Sequence, residues 1–526
     1  MSIRNYRSGA AVSLLALTAC ASVDKDTLNA RIPDPPAQWS AAEDISDPPA
    51  GDWVASLGDP QLYSLIAEAM THNNTLLAAA ANLKAARAVA RIERADLLPT
   101  LNASGSSSRN AIVTDPSLQA QTGGGGSSTT GGLRAQELED RFGIDTNGDG
   151  KLDGLDLDGN GSLDAAIPNR RVYINNFALG AQLNWEIDLW GRLTDETKAA
   201  YRDARASLAD YDSARLSLAG RVAQAWFGLI EARQQRELGE RDTNARESNL
   251  RVTERRYERG VASSLDVRLS RSALGSSKAN LAFRQQAEKE AARRLEVLLG
   301  RYPGAELEAA SSLPALTQLA GAGAPGDILS RRPDLRAAEA RMESAGLRAR
   351  ATRKQLLPRL TISSQISTSG PDLADVLDPE RLAGNIASGL FQPLFQGGRL
   401  MANSKRARAQ AEASLLSYAQ TALNAYEEAE NAISAETYLA LREEALNLAY
   451  EEAAAAEELT ERRYASGAAT IFDLLNAQTR RISAEGAFIS ARQQRVSNRV
   501  LLYLASGGDF LVAPAAADGA EAPPSG

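Results

Sequence analysis

The chain has one cysteine and one histidine in 526 residues, so it can assemble neither a Cys–His nucleophile pair nor a His-rich metal centre. Aromatic residues make up only 5%, whereas Ala, Arg, Glu and Leu dominate, the composition of long helices rather than of a compact mixed core. No stretch reaches the roughly 18 apolar residues of a transmembrane helix. If the chain crosses a membrane it must do so with strands, and only a closed barrel satisfies every strand backbone in lipid. Proline is missing between Pro168 and Pro303 and between Pro393 and Pro514, so nothing in those intervals breaks a helix. The net charge of -8 argues against a nucleic-acid partner. His72, in THNN, has no nucleophile motif beside it and reads as a surface histidine at a helix start. Paired carboxylates such as Glu427 and Glu428 fit a solvated helix face. Nothing here points to an enzyme.

What is present is a duplication. RRYERGVASSLDV (Arg255 to Val267) returns 207 residues later as RRYASGAATIFDL (Arg462 to Leu474), and DLWGRL maps onto LFQGGRL at the same offset. LLPTL around Pro99 and LLPRL around Pro358 are 259 apart; the difference, 52, measures an insertion between Pro99 and Trp190.

At the start, Arg4 and Arg7 precede an apolar stretch that runs into LTAC. This resembles a bacterial lipoprotein signal peptide over residues 1–19, with Cys20 as the acylated first residue. Ala21, where an Asp would hold a bacterial lipoprotein at the inner membrane, favours the outer membrane. Residues 20–52, with Pro33, Pro35, Pro36, Pro48 and Pro49, read as an extended tether.

Strand evidence lies before Gly191, where Phe177, Leu179, Ala181, Leu183, Trp185, Ile187 and Leu189 alternate with mostly polar neighbours. The second-half equivalent, Asn385 to Gln396, contains Pro393. Weaker strands follow the LLP landmarks at Leu101 to Gly105 and Leu360 to Ile366. Four strands per chain cannot close a barrel around a pore, so several chains must contribute to one. The rest is helical. Leu415, Ala419, Ala422, Tyr426, Ala429 and Ile433 recur at coiled-coil spacing, and a helix from Arg399 to about Ala465 would be roughly 100 Å long. Its copy runs from Arg192 to Arg259. Helical hairpins result, with tips at Gly260 and Gly467.

Taken together, the lipobox, the two halves, WEIDLWGRL, the LLP landmarks and the pair YERGVASSLDV and YASGAATIFDL resemble outer-membrane efflux proteins of the TolC type, nearest to their lipoprotein branch, the OprM and NodT group. The resemblance covers approximately Asp52 to Gly508 apart from the insertion. It implies an α+β membrane protein: a homotrimer whose four strands per chain make a twelve-stranded barrel in outer-membrane lipid, continued by a coiled-coil periplasmic tunnel. The first repeat would occupy residues 53–300, with the insertion at about 107–170, the second 301–508, and a flexible tail 509–526. The implied function is the outer-membrane channel of a tripartite efflux system for small molecules (drugs, toxic compounds or metals), with a periplasmic adaptor and an inner-membrane pump of the resistance-nodulation-division type as partners and no required cofactor. The channel of a type I protein-secretion system is an alternative on the same residues, and a lipid-anchored structural coiled coil a further one.

By the same resemblance, residues just after the second tip, Phe472, Asp473 and Asn476, line the periplasmic aperture. Three copies of each would converge there, a carboxylate ring selecting by field and an aromatic or amide ring by size. Asp473 also suits a helix N-terminus as a macrodipole charge. Asn476 replaces a second acidic position of TolC, which weakens a cation-binding gate. Gly260 and Gly467 supply the positive φ of the turns, and Tyr257 and Tyr464 pack them while offering a hydroxyl between helices. The resemblance assigns adaptor contact to Gly260, Val261, Ala262, Ser263 and Leu265, with Gly467 to Ile471 as counterpart.

The insertion departs from the family. DTNGDGKLDGLDLDGNGSLD places Asp145, Asn147, Asp149, Asp153 and Asp156 at ligand positions of a calcium loop, with Gly150 at its bend. Asp156, Asp158, Asn160 and Asp164 form a second register. The bidentate Glu at position 12 is replaced by Asp156 in the first and Ile167 in the second, so Ca²⁺ affinity should be weak. An acidic, Gly-rich disordered loop is the alternative.

Overall fold

The computed structural model describes residues 36, 38–41, 52–114, 143–144, 154–155, 170–316 and 321–508. Cys20 and all the candidate calcium ligands lie outside them. The chain divides into a helical unit (Met1–Ala95, Trp190–Leu357 and Pro393–Gly526) and a sheet unit (Asp96–Leu189 and Pro358–Gln392).

In the helical unit the duplication is metrically faithful. Helices α2 (Asn74–Ala95), α3 (Arg192–Glu258) and α4 (Ser264–Leu298) have 22, 67 and 35 residues. Helices α5 (Pro333–Lys354), α6 (Arg399–Ala465) and α7 (Ile471–Ala505) have the same 22, 67 and 35. A 13-residue α1 (Pro60–His72) precedes the first set. At 1.5 Å per residue the longest helices extend about 100 Å.

Helix α1 begins where Asp59 Oδ1 accepts from the N–H groups of Gln61 and Leu62 (2.9 and 3.1 Å), satisfying otherwise orphaned donors. The other oxygen of that carboxylate accepts from Trp226 Nε1 of α3 at 2.7 Å. One side chain therefore starts α1 and ties it to the long helix. Around this bond a core forms from Trp53, Leu62, Ile66, Trp226, Phe227, Leu295, Leu299 and Val500, with Tyr503 stacked on Trp53 at 6.1 Å. A second core joins Leu335, Ala422, Ala425, Ala429, Ile433 and Leu502, where the alanine spacing along α6 allows close helix approach. Of the heptad positions, Leu415, Ala419, Ala422, Ala429 and Ile433 are buried, and Tyr426 is partly so. His72 is the last residue of α1 rather than the first of the next helix: Asn73 takes the cap, its side-chain oxygen accepting from Thr75 and Leu76, because an amide caps better than an imidazole.

Helix α5 is pinned to α3 by cross-helix ion pairs, Arg336–Asp212 (2.8 Å), Arg341–Asp210 and Arg348–Asp203 (2.5 Å), with Lys354–Asp195 at 2.7 Å. Exposed pairs of this kind contribute little stability each, but their series fixes the relative register of the two helices.

The sheet unit contains β1 (Thr100–Thr114), β2 (Arg170–Ile187), β3 (Arg359–Gly370) and β4 (Ala383–Phe391), hydrogen-bonded in that order with every neighbour antiparallel. All four strands outrun or fall short of the sequence expectation. β1 reaches Thr114 rather than Gly105 because its ladder with residues 170–177 continues past the apolar alternation. β4 stops at Phe391 instead of Gln396, since Pro393 lacks the N–H that a ladder requires. Within the insertion, Gly143–Ile144 pairs with Gly154–Leu155.

Candidate channel wall and hairpin tips

The pairing registers align the side chains of all four strands. Leu101, Ala103 and Gly105 stand beside Leu183, Ala181 and Leu179. On β3 the same rows continue as Ser364, Ile366 and Thr368, with Trp185 beside Ile362 and Ile187 beside Leu360; on β4 they end at Leu390, Ser388, Ile386 and Gly384. Because residues alternate across a strand, the opposite face collects Asn102, Ser104, Gln182, Asn184, Ser363, Gln365, Ser367 and Asn385. One face carries the exposed Leu101, Leu179, Ile366, Ile386 and Leu390; the other is mainly amide and hydroxyl, with Glu186, Arg359 and Phe391 at one end. Trp185 donates its indole N–H to the Leu97 carbonyl at 3.0 Å, the amphipathic placement favoured at a lipid–water boundary. The outer edges of β1 and β4 have no partner strand among the described residues. In lipid such edges are untenable, so the sheet is a segment of a larger closed wall. Among the described residues no helix is long and apolar enough to cross a membrane.

Each hairpin tip is built by the same local chemistry. After α3 the Gly260 N–H donates to Tyr257 O and the Val261 N–H to Arg256 O, both at 2.9 Å, and after α6 Gly467 and Ala468 repeat this on Tyr464 and Arg463 at 3.1 and 2.8 Å. These crossed bonds need a left-handed residue, and Gly260 (φ 77°) and Gly467 (φ 81°) provide it. The next helices open with reciprocal caps. Ser263 exchanges bonds with Asp266 (2.8 and 3.2 Å), and Thr470 with Asp473 (2.9 and 3.2 Å). Asp473 also accepts from the Thr470 hydroxyl at 2.7 Å. That hydroxyl, then the Thr470 backbone N–H and the nearby Arg463 charge, hold the Asp473 carboxyl below the ordinary aspartate range. Asp473 is thus a cap with its remaining surface exposed.

Phe472, Asp473 and Asn476 are exposed along one side of α7, while Ile471 and Leu474 point inward against Tyr464 and Leu269. At the first tip Val261, Ser263 and Leu265 are exposed and Ala262 is partly covered. Ile471, grouped with the adaptor-contact residues by resemblance, is only 3% exposed because it fills the interior of its tip. The two tyrosines differ as well. Tyr464 is 8% exposed and its hydroxyl lies 3.2 Å from Thr253 Oγ1, the expected inter-helix bond, whereas Tyr257 is 50% exposed.

Sequence reasoning missed the side chains that hold the second hairpin on the first. Arg256 donates to the carbonyls of Tyr464 and Ala465, both at 3.1 Å, and its guanidinium lies 4.8 Å from the Tyr464 ring centre. Farther along, Arg246 reaches Thr479 at 3.3 Å, and Glu485 takes Arg241 at 2.5 Å and Arg481 at 2.6 Å. Arg481 also pairs with Glu457, whose carboxyl burial pushes above its ordinary range against the pull of that arginine. The repeat itself was the available signal, since Arg256 and Tyr464 both sit in RRY motifs.

An amphipathic sheet segment with open edges, joined in one chain to paired long helical hairpins, defines a subunit of an outer-membrane channel of the TolC type. The chain belongs to the outer membrane efflux protein family, whose model matches residues 65–301 and 324–508. It is 29% identical over 484 residues to the pyoverdine export outer membrane protein OpmQ of Pseudomonas aeruginosa, covering 90% of this chain and 91% of that protein. It is 28% identical over 491 residues to the toluene efflux pump outer membrane protein TtgC of Pseudomonas putida, covering 90% of each. The Campylobacter jejuni CmeC outer membrane channel superposes with a TM-score of 0.76 at 20% identity, over 91% of this chain and 94% of that one. The chain is therefore the outer-membrane channel component of an efflux system.

Proposed function

We propose that three copies of this chain close one twelve-stranded barrel, and that the channel receives small molecules from an inner-membrane pump of the resistance-nodulation-division type through a periplasmic adaptor. The observation that carries this reading is the sheet with one apolar and one amide-rich face and two edges without a partner strand among the described residues. The apolar face meets lipid, and the amide and hydroxyl face lines a wet lumen whose charges, Glu186 and Arg359, lie at one end. A family containing exporters of pyoverdine and of toluene suits such a lumen. The internal repeat supports closure by copies. α5 packs against both α3 and α6, while its counterpart α2 packs on α3, adjoins α1 and leaves Leu77, Val89 and Ile92 exposed. The α6 of a neighbouring copy completes that contact.

Phe472, Asp473 and Asn476 form rings at the periplasmic aperture, Val261 and Leu265 offer apolar contacts to the adaptor, and acylated Cys20 anchors each subunit. The insertion joins the far ends of β1 and β2, opposite the ends that continue into helices, which supports an extracellular position for it. There Asp145, Asn147, Asp149, Asp153 and Asp156 bind Ca²⁺ weakly, in the range of extracellular modules. Light scattering of the gently extracted protein tests the central claim. Trimer mass with ohmic channels in planar bilayers is the expected result; a monomer without channel activity refutes it.

A further inference from the structure

The clamp between the two hairpins of one chain has an unused twin. Arg256 and Thr253 on α3 grip the last turn of α6: two guanidinium N–H bonds to the carbonyls of Tyr464 and Ala465, a ring contact with Tyr464, and a hydroxyl pair between Thr253 and Tyr464. Thr253 also donates to the Asn249 carbonyl at 2.9 Å, so the Tyr464 hydroxyl is the donor in that pair. Donor and acceptor sides both lie in the same five residues. TERRY at 253–257 recurs as TERRY at 460–464, at the repeat's own offset. Each hairpin therefore carries a complete set of gripping residues and a complete site to be gripped. Among the described residues of one chain, the gripping set of the first hairpin and the site of the second engage each other across the hairpins.

Not engaged across the two hairpins, among the described residues, are Arg463 and Thr460 on the gripping side and Tyr257 on the other; Arg463 instead reaches the Ala468 carbonyl of its own tip at 3.4 Å. Arg463 is exposed and Thr460 partly so, and Tyr257 is half exposed where Tyr464 is covered. Thr460 already donates to the Ala456 carbonyl at 2.7 Å, as Thr253 does to Asn249, leaving its lone pairs for an incoming hydroxyl. A second contact obeys the same rule. Ser490 of α7 bonds Glu231 of α3 at 2.5 Å; the repeat counterparts of these two positions are Phe283 on α4 and Tyr438 on α6, 73% and 70% exposed. Two aromatic rings stand exposed where the intrachain version has a polar pair.

We propose that Arg463 and Thr460 of one copy clamp Tyr257 of the next, with Phe283 of that next copy packing on Tyr438 of the first. This rests on the trimeric reading above and identifies the residues that join its subunits at the helical tips. Around the ring, clamps within chains alternate with equivalent clamps between chains, and three copies leave none idle. Exposed aromatic surface is buried and every arginine of the pair gains carbonyl acceptors.

The test uses the full-length trimer with cysteine pairs and a short bis-maleimide, with the single-cysteine variants measuring any contribution of Cys20. Tyr257→Cys with Thr460→Cys should convert most of the monomer band on a denaturing gel to linked multimers. The control, Tyr464→Cys with Thr253→Cys, should react within the chain and stay at monomer mass. Phe283→Cys with Tyr438→Cys gives a second reading at a different height should the first pair impair assembly. Trimer mass by light scattering with both test pairs failing to link chains, while the control reacts, overturns the clamp and leaves the trimer standing. Monomer mass for the unaltered protein overturns the trimeric reading and the clamp with it.

Discussion

Placing an arginine at Ile366 and, separately, at its neighbour Gln365 tests the two-faced wall with a shift of a single residue. The apolar row on β2 runs from Phe177 to Ile187, and at about 3.3 Å per residue with a tilt near 40° it covers a height of roughly 25 Å, the apolar band of an outer-membrane barrel. Ile366 pairs with Ala181, near the middle of that row, and is exposed on the apolar face. Ile366→Arg therefore sets a guanidinium at mid-depth in lipid, which costs about 2–4 kcal/mol, or between about 30-fold and 900-fold in the folding equilibrium. Gln365 pairs with Gln182 on the amide face, and Gln365→Arg leaves the charge in water at little cost. Guanidinium titration of both variants refolded into lipid vesicles separates them by midpoint. Equal losses, or a greater loss for Gln365→Arg, would refute the assignment of faces.

Thr470→Ala removes the cap that opens α7 and should lower the stability of the second tip by about 1 kcal/mol, seen as faster hydrogen exchange confined to that tip. The Asp473 carboxyl is held below its ordinary value, so its capping contribution is present above the ordinary aspartate pKa and is lost as pH falls through the depressed folded value. Exchange at the tip should accelerate below about pH 4, and Asp473→Asn should flatten that dependence; an unchanged profile in the variant assigns the acid response elsewhere. Cys20→Ala should abolish palmitate labelling while barrel assembly continues, and an unlabelled parent protein removes the anchor from the account. Calorimetry of the trimer should register calcium uptake at a few millimolar that Asp145→Asn with Asp149→Asn eliminates, and a flat trace for the parent leaves only an acidic loop.

Much of the helical architecture could be read from the chain because its signals are local. Arg399 to Ala465 was bounded by a glycine pair before and the tip glycine after, with no proline between, and α6 has those limits. The 207-residue offset carried the same limits to α3. Strand lengths were less legible, since ladder bonds are made by backbone irrespective of side chain: Ser106 to Thr114 carry little alternation and still pair with β2. Beyond the Tyr464 hydroxyl, long-range contacts were hardly legible. Asp59 caps a helix start and also accepts from Trp226, 167 residues away, and nothing local to either residue announces that bond. The outer-membrane channel class followed from motifs, whereas the separation of tip residues into interior (Ile471, Tyr464) and surface (Phe472, Asn476, Val261, Leu265) required the packing.

The matched helix lengths, 22, 67 and 35 residues in each half, impose a rule on how such a chain can change. Deleting one residue from α3 would rotate everything beyond it by about 100° and withdraw its tip by about 1.5 Å, turning Arg256 away from Tyr464 while α6 stayed in place. A helix in one half can therefore lengthen or shorten only if its counterpart does the same, a coincidence two separate events seldom supply. Between β1 and β2 no counterpart has to agree, and that is where the chain has grown. The three paired helices have kept one length in both halves, while the strands and the connection between β1 and β2 have not.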